Sequence, residues 1–405
     1  MGLLRKIPRK AWSFLSVINK FVKKDEKRIF IYSNLGFYDN VKALYDHLIE
    51  KGYNKKYKII VSLNNWKDYA EGAEENVKFI SNIKGLFSFF RCKYCFYCFG
   101  KYPIKPSKKQ IVFNMWHGMP LKKIGNMVKG CERVDYNYFT HLLCTSEYFR
   151  DIMKKAFNAS DEQIFICGQP RTDEMLTHIP EDEEISAKAA VAGYKNRFSK
   201  MILWLPTFRE DVDTELDILS VEQLSELDDL CGENNWCIVV KLHPLSKIEP
   251  DMYEGFENIS FINNKILEEL HIGFYSLIGM SSCLITDYSS VYFDYMLLDK
   301  PIAFAVSDIE KYKNDRGFIF DDPLSVMPGD IIENGDEFLK FVKKIFDGKD
   351  DYVNLRRKLS AEFNKYCDNK NCERVLSVLI SDSLNTKSHK KSKKIRRKQW
   401  TLNHF

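Results

Sequence analysis

Short apolar runs alternate with helix-like stretches along this chain, and the alternation comes in two series. In the first, strand-like runs lie at Arg28–Tyr32, Tyr57–Ser62, Tyr94–Cys98, Ile111–Met115, Leu142–Thr145 and Gln163–Cys167, with helical periodicity from Asn40 to Lys51. In the second, they lie at Met201–Leu205, Trp236–Lys241, Ile259–Ile262, Cys283–Thr286 and Ile302–Ala305. Helices are predicted there at 220–231, 289–298, 336–346 and 352–382. Strand–helix–strand repetition of this kind builds parallel sheets covered by helices. Between the series, residues 178–200 are acidic and then Ala-rich, with no strand pattern, which marks a domain junction. A chain of 405 residues also exceeds one ordinary core. The expected fold class is therefore α/β, with two doubly wound Rossmann-like domains, 25–190 and 191–384, facing a cleft. Ligands of such sheets bind beyond the carboxyl ends of the strands.

Charge is distributed unevenly. Residues 1–24 carry seven Lys/Arg and no acid, and residues 385–405 carry eight and no acid. Removing those fifteen charges from the net +5 leaves 25–384 at −10. An evenly basic nucleic-acid binder is thereby excluded. Segment 10–23 reads as an amphipathic helix with Ala11, Phe14, Leu15, Ile18, Phe21 and Val22 on one face. Trp12 and Lys20 beside that face suit an anionic membrane surface, although packing on the protein's own body explains the pattern too. The basic tail 385–405 is expected to assist. No signal peptide and no apolar run long enough to span a bilayer is evident, which points to a peripheral protein on the cytoplasmic face. The eleven cysteines are expected to be reduced, and Cys92, Cys95 and Cys98 read as strand residues, with no metal.

Chemistry-bearing residues cluster just after the predicted strands. His117-Gly118-Met119-Pro120 places an imidazole at a sheet edge, and Lys122 and Lys123 follow on the expected acceptor side. Histidine is the side chain best suited to accept a hydroxyl proton near neutral pH. Gly168-Gln169-Pro170-Arg171-Thr172-Asp173 offers Arg171 to a phosphate, and a turn followed by a helix cap explains the stretch equally well. Thr207 and Arg209 end the first strand of the second series. Lys241 and His243 end another, as cations suited to a diphosphate. Asp287, Ser289 and Ser290 precede a helix, where hydroxyls and free N–H groups suit an anion. Arg316 follows in a loop. No Gly-rich dinucleotide fingerprint, P-loop, HExxH or GxSxG is present.

Taken together, these stretches resemble the CDP-glycerol glycerophosphotransferase family of teichoic-acid primases and polymerases. The matching pieces are 30–45, 116–125, 168–173, 205–210, 241–244, 284–304 and 316–321, in the family's order. The resemblance implies a glycosyltransferase-B-like pair of domains and transfer of glycerol phosphate from CDP-glycerol, or ribitol phosphate from CDP-ribitol, with release of CMP. The acceptor would be a lipid-linked or polymer hydroxyl in teichoic-acid-like or capsular synthesis. It also implies His117 as base and His243 as stabiliser of the leaving group. Ser289 and Ser290 would hold the diphosphate, while Asp287, Thr207 and Arg209 contact the nucleotide. Met119 departs from the family's usual Thr. A nucleotide-sugar glycosyltransferase is the competing reading. No cofactor is implied, and a divalent-ion requirement and a homo-oligomer both stay open.

Overall fold

The computed structural model describes residues 9–192, 198–207, 218–243, 246, 255–307, 309 and 317–379, with side chains from residue 13 onward. Two all-parallel sheets account for the two series. The first has seven strands: β1 (Asp25–Tyr32), β2 (Lys58–Leu63), β3 (Val77–Ser81), β4 (Cys92–Tyr97), β5 (Ile111–Asn114), β6 (His141–Cys144) and β7 (Ile164–Ile166). Their spatial order is β3-β2-β1-β4-β5-β6-β7. The second has six: β8 (Lys200–Trp204), β9 (Trp236–Lys241), β10 (Ile259–Ile262), β11 (Cys283–Thr286), β12 (Ile302–Ala305) and β13 (Asp330–Ile332), ordered β10-β9-β8-β11-β12-β13. The chain reverses its direction of travel between β1 and β4 in one sheet and between β8 and β11 in the other. These reversals are where parallel sheets open a crevice.

Helices on both faces bury long apolar runs in the inner strands, as parallel sheets require. Residues 29–32 of β1, 94–97 of β4 and all six residues of β9 are buried. Cys92, Cys95 and Cys98 are buried packing residues of this kind, and burial pushes their thiols up. Helix Asp39–Glu50 contributes Val41, Leu44 and Leu48 to the core, and helix Asn82–Arg91 contributes Leu86, Phe89 and Phe90.

Helix Arg9–Phe21 divides the apolar face expected of it. Leu15, Ile18 and Val22 pack against the core, whereas Phe14 (65%) and Phe21 (84%) are exposed to solvent with Val17. The helix is pinned by polar contacts: Asn19 Nδ2 donates to Gln110 Oε1 and to the Lys105 carbonyl. Buried Lys24 donates to the Asn19 and Phe90 carbonyls. Lys20 is exposed, and the Trp12 side chain lies outside the described residues.

After β13 the chain returns to the first sheet. Helix Val353–Phe363 follows, and Thr145 Oγ1 donates to the Phe363 carbonyl at 2.7 Å. Asp173 then caps the helical segment 371–379, its two oxygens accepting from the backbone N–H groups of Asn371 and Cys372 at 2.9 and 2.7 Å. Val375, Leu376 and Leu379 of that segment are buried.

Candidate active site

The loop after β5 is held in an unusual shape. Trp116 has φ +51 and Gly118 φ +125. A non-glycine residue in the left-handed region costs on the order of 1–3 kcal/mol and persists only where its surroundings dictate it. Here Asn114 Oδ1 accepts from the Trp116 N–H at 3.0 Å, and Asn40 Nδ2 donates to the Met115 and Trp116 carbonyls. The result lays the His117 ring against Trp116, with centroids 4.0 Å apart, and against Phe99 at 5.3 Å. Burial lowers the imidazole to about 4; Asp39 opposes that shift and Arg171 adds to it. His117 is therefore neutral near pH 7, with a nitrogen free of a proton and able to take one.

Across the gap stand Ser289 and Ser290, half-buried, directly before helix Val291–Tyr295. A Cβ built on Gly118 would meet Ser290 Oγ at 3.3 Å, which measures how near the second sheet's serines come to the loop of His117. The loop of His117 continues into a second junction, with the segment between β12 and β13. Lys122 forms an antiparallel bridge with Phe318, Lys123 N–H donates to the Gly317 carbonyl, and Ile319 N–H donates to the Leu121 carbonyl. Lys122 is half-buried and Lys123 exposed.

At the reversal point of the second sheet, Asp287 Oδ2 accepts from both the N–H and the hydroxyl of Thr207, at 2.9 and 2.6 Å. The turn after β8 is thus fastened to the turn after β11. His243 follows β9, half-buried. Lys241 is buried beside it and donates to the Leu242 carbonyl and Asn264 Oδ1, with Phe274 under its ammonium. Desolvation lowers that ammonium to about 8, so it remains mostly charged near pH 7. Arg209 and Arg316, expected to contact the donor, lie outside the described residues.

Arg171, expected from sequence to face a phosphate, is placed among carboxylates. It does not present a free guanidinium to a phosphate. It is 6% exposed and shared between Asp39 Oδ2 (2.8 Å), Asp294 Oδ2 (2.7 Å) and the His117 carbonyl (2.9 Å). The residues that hold it there, Asp39, Asn40, Gln169, Tyr275 and Asp294, had no role assigned from sequence. Asp39, Asn40, Gln169 and Asp294 do lie inside the stretches that carried the resemblance. Among the described residues, no group of three or more His, Cys, Asp or Glu is arranged to hold a metal ion.

Two parallel sheets, each opening at its reversal point, with a neutral histidine at one edge and serines, a lysine and a second histidine at the other, define an α/β protein of the doubly wound class, in which ligands bind beyond the carboxyl ends of the strands. The chain belongs to the CDP-glycerol:poly(glycerophosphate) glycerophosphotransferase family, whose profile matches residues 13–381. It is 27% identical over 375 residues to the teichoic acid poly(glycerol phosphate) polymerase of Staphylococcus epidermidis, covering 86% of this chain and 49% of that protein. The chain thus spans about half the length of that relative. It is 26% identical to the teichoic acid glycerol-phosphate transferase of Staphylococcus aureus, covering 84% of this chain and 89% of the relative. In structure it is similar to the wall teichoic acid polymerase TagF, with a TM-score of 0.74 at 22% identity and 95% of each chain covered.

Proposed function

We propose that this chain transfers glycerol phosphate from CDP-glycerol to a hydroxyl of a lipid-linked or polymer acceptor, releasing CMP, in the synthesis of a teichoic-acid-like or capsular surface polymer. The two sheets then act as a glycosyltransferase-B-like pair, the first sheet with the returning residues 364–379 on the acceptor side and the second sheet on the donor side. The observation that supports this reading, beside family membership, is a neutral His117 in the loop whose next residue, Gly118, comes close to Ser290 of the other sheet.

The acceptor oxygen attacks the glycerol-bearing phosphorus while its proton passes to His117. The bond from that phosphorus to the oxygen of CMP breaks, and CMP departs with the electron pair. His117 then returns the proton to solvent. Phosphoryl transfer depends on placement and charge neutralisation more than on covalent help. The serine hydroxyls hold the diphosphate, and His243 with Lys241 meets the charge that grows on the leaving group. Asp287 fixes Thr207 at the nucleotide turn, and Arg209 and Arg316 are assigned to the donor from the sequence.

The same reading places the protein peripherally on the cytoplasmic face of the membrane, where a lipid-linked acceptor is presented. Exposed Phe14, Val17 and Phe21, with Lys20 and Lys23 beside them, support it. Helix Asn82–Arg91 adds exposed Phe87 (71%) and Ile83. Among the described residues no helix is long and apolar enough to cross a membrane.

The test offers purified protein CDP-glycerol or CDP-ribitol with a lipid-linked acceptor and weighs the products. CMP release with an acceptor heavier by glycerol phosphate supports the reading. Use of CDP-ribitol alone overturns the donor, and no transfer from either overturns the activity.

A further inference from the structure

Arg171 joins three parts of the molecule that the sequence leaves far apart. Its Nη1 donates to the backbone carbonyl of His117 at 2.9 Å and to Asp39 Oδ2 at 2.8 Å. Its Nε and Nη2 donate to Asp294 Oδ2 at 3.2 and 2.7 Å. Asp294 stands on the short helix that begins directly after Ser290. One rigid guanidinium thus ties the peptide of the proposed base to the element carrying the proposed phosphate serines.

The surroundings leave this guanidinium little freedom. Asp294 is 1% exposed, and it also accepts from Tyr275 Oη at 2.7 Å and from Gln169 Nε2 at 2.7 Å. The Arg171 backbone N–H donates to Asn40 Oδ1, and the same Asn40 side chain holds the Met115 and Trp116 carbonyls. The Tyr275 ring lies 5.1 Å beneath the guanidinium carbon. Stability alone is a weak reason to keep such a group. Taking charges out of water costs about as much as their attraction returns, and apolar replacements are often no less stable. What a planar, forked donor supplies beyond an apolar plug is fixed geometry to several acceptors at once.

We propose that Arg171 is a positioning residue: through Asp294 and the His117 carbonyl it sets the spacing between the acceptor-side imidazole and the donor-side serines, and it does not bind the donor phosphate. This rests on the function proposed above. A lysine at 171 keeps the charge and loses the fork, and an asparagine at 294 keeps the shape and loses the carboxylate.

The test compares wild type, Arg171→Lys, Asp294→Asn and the double variant by CDP-glycerol calorimetry, steady-state kinetics and thermal melting. It adds the NMR resonance of the His117 ring, which needs no turnover. Misplacement by about an ångström can cost around 100-fold, so each single variant is expected to lose roughly 10–100-fold in kcat with donor Kd changed less than about threefold. The double variant should be no worse than the worse single one, because both break one link. The His117 resonance should move in all three. A donor Kd weakened tenfold or more overturns the proposal in favour of phosphate binding. Unchanged kcat per folded molecule, additive losses, or an unmoved His117 resonance overturn it too. If Arg171→Lys does not fold, Asp294→Asn decides by the same readings. A wild type that transfers nothing would sink the proposed activity, and the resonance would still judge the spacing role.

Discussion

Gly118 and Ser290, one from each sheet, approach so closely that a single added carbon on the glycine would lie 3.3 Å from the serine hydroxyl and 2.8 Å from a guanidinium nitrogen of Arg171. The glycine also has φ +125, which side-chain-bearing residues rarely adopt. Gly118→Ala is therefore expected to displace Arg171 or the loop itself. Turnover should fall by about 100-fold, the scale of small misplacements, with a lowered melting temperature. Steady-state rates set beside a melting curve check this, and a variant with wild-type turnover contradicts it.

His117 sets a pH expectation. Its imidazole is lowered to about 4, below the ordinary 6.5. The acid limb of kcat/KM should accordingly fall near pH 4, well below the limb of an unshifted histidine. Stability follows the same group. Between about 6.5 and 4 the unfolded chain takes a proton that the folded chain refuses, so this contribution is lost as pH falls through that window. His117→Ala should cut turnover by about 10²–10⁴-fold, the range for one placed acid–base group, and flatten that part of the stability profile. A limb at pH 6.5, or near-normal turnover in the variant, defeats the assignment.

The Thr207–Asp287 contact concerns the donor turn. Thr207→Val removes the hydroxyl donor and leaves the backbone bond to Asp287. Losing a hydrogen bond to a charged group costs about 1.5–3 kcal/mol. The expected result is weaker CDP-glycerol binding with little change in kcat, read by calorimetry. Equal binding by both proteins would remove Thr207 from the donor site.

Asp173 makes a cap between distant parts of the chain. Asp173→Ala leaves the Asn371 and Cys372 N–H groups without their carboxylate. Cap removal costs about 1–2 kcal/mol. Urea unfolding should show that loss, and amide exchange should rise over 371–379. Unchanged exchange there would mean that the contact contributes nothing.

The first helix gives a paired experiment. Phe14→Asp and Phe21→Asp alter exposed positions, and they are expected to release the protein from anionic vesicles while leaving melting unchanged. Leu15→Asp alters a side chain packed on the core and should lower the melting temperature instead. Vesicle binding that survives both Phe substitutions would exclude this face as the anchor.

Much of this arrangement is legible before any coordinates. The inner strands announce themselves because both faces are buried and most of their residues are apolar. β3 and β13 do not, because they lie at sheet edges, are short, and include Lys78, Ser81 and Asp330. The loops at the site are legible because parallel strands deliver reactive residues at their carboxyl ends. The surroundings of Arg171 are not legible in this way: an arginine after a strand suggests a phosphate ligand, and its carboxylate partners come from distant parts of the chain. Asp39, Tyr275 and Asp294 come from separate elements, and no periodicity in the chain links them. The first helix shows a related limit. Its apolar arc spans about the width that one face needs, yet the pins at Asn19 and Lys24 turn only half of it inward.

The return of residues 364–379 to the first sheet has a mechanical consequence. The portion bearing the second sheet is held at both of its ends, by the 176–180 connection on one side and by the contacts of Thr145 and Asp173 on the other. A body hung from two points can swing like a door but cannot wander like a bead on a string. Rotation about the line through those two attachments would have to part the Arg171–Asp294 pair and the Lys122–Phe318 bridge, and severing the chain near 178 would leave the halves still clasped.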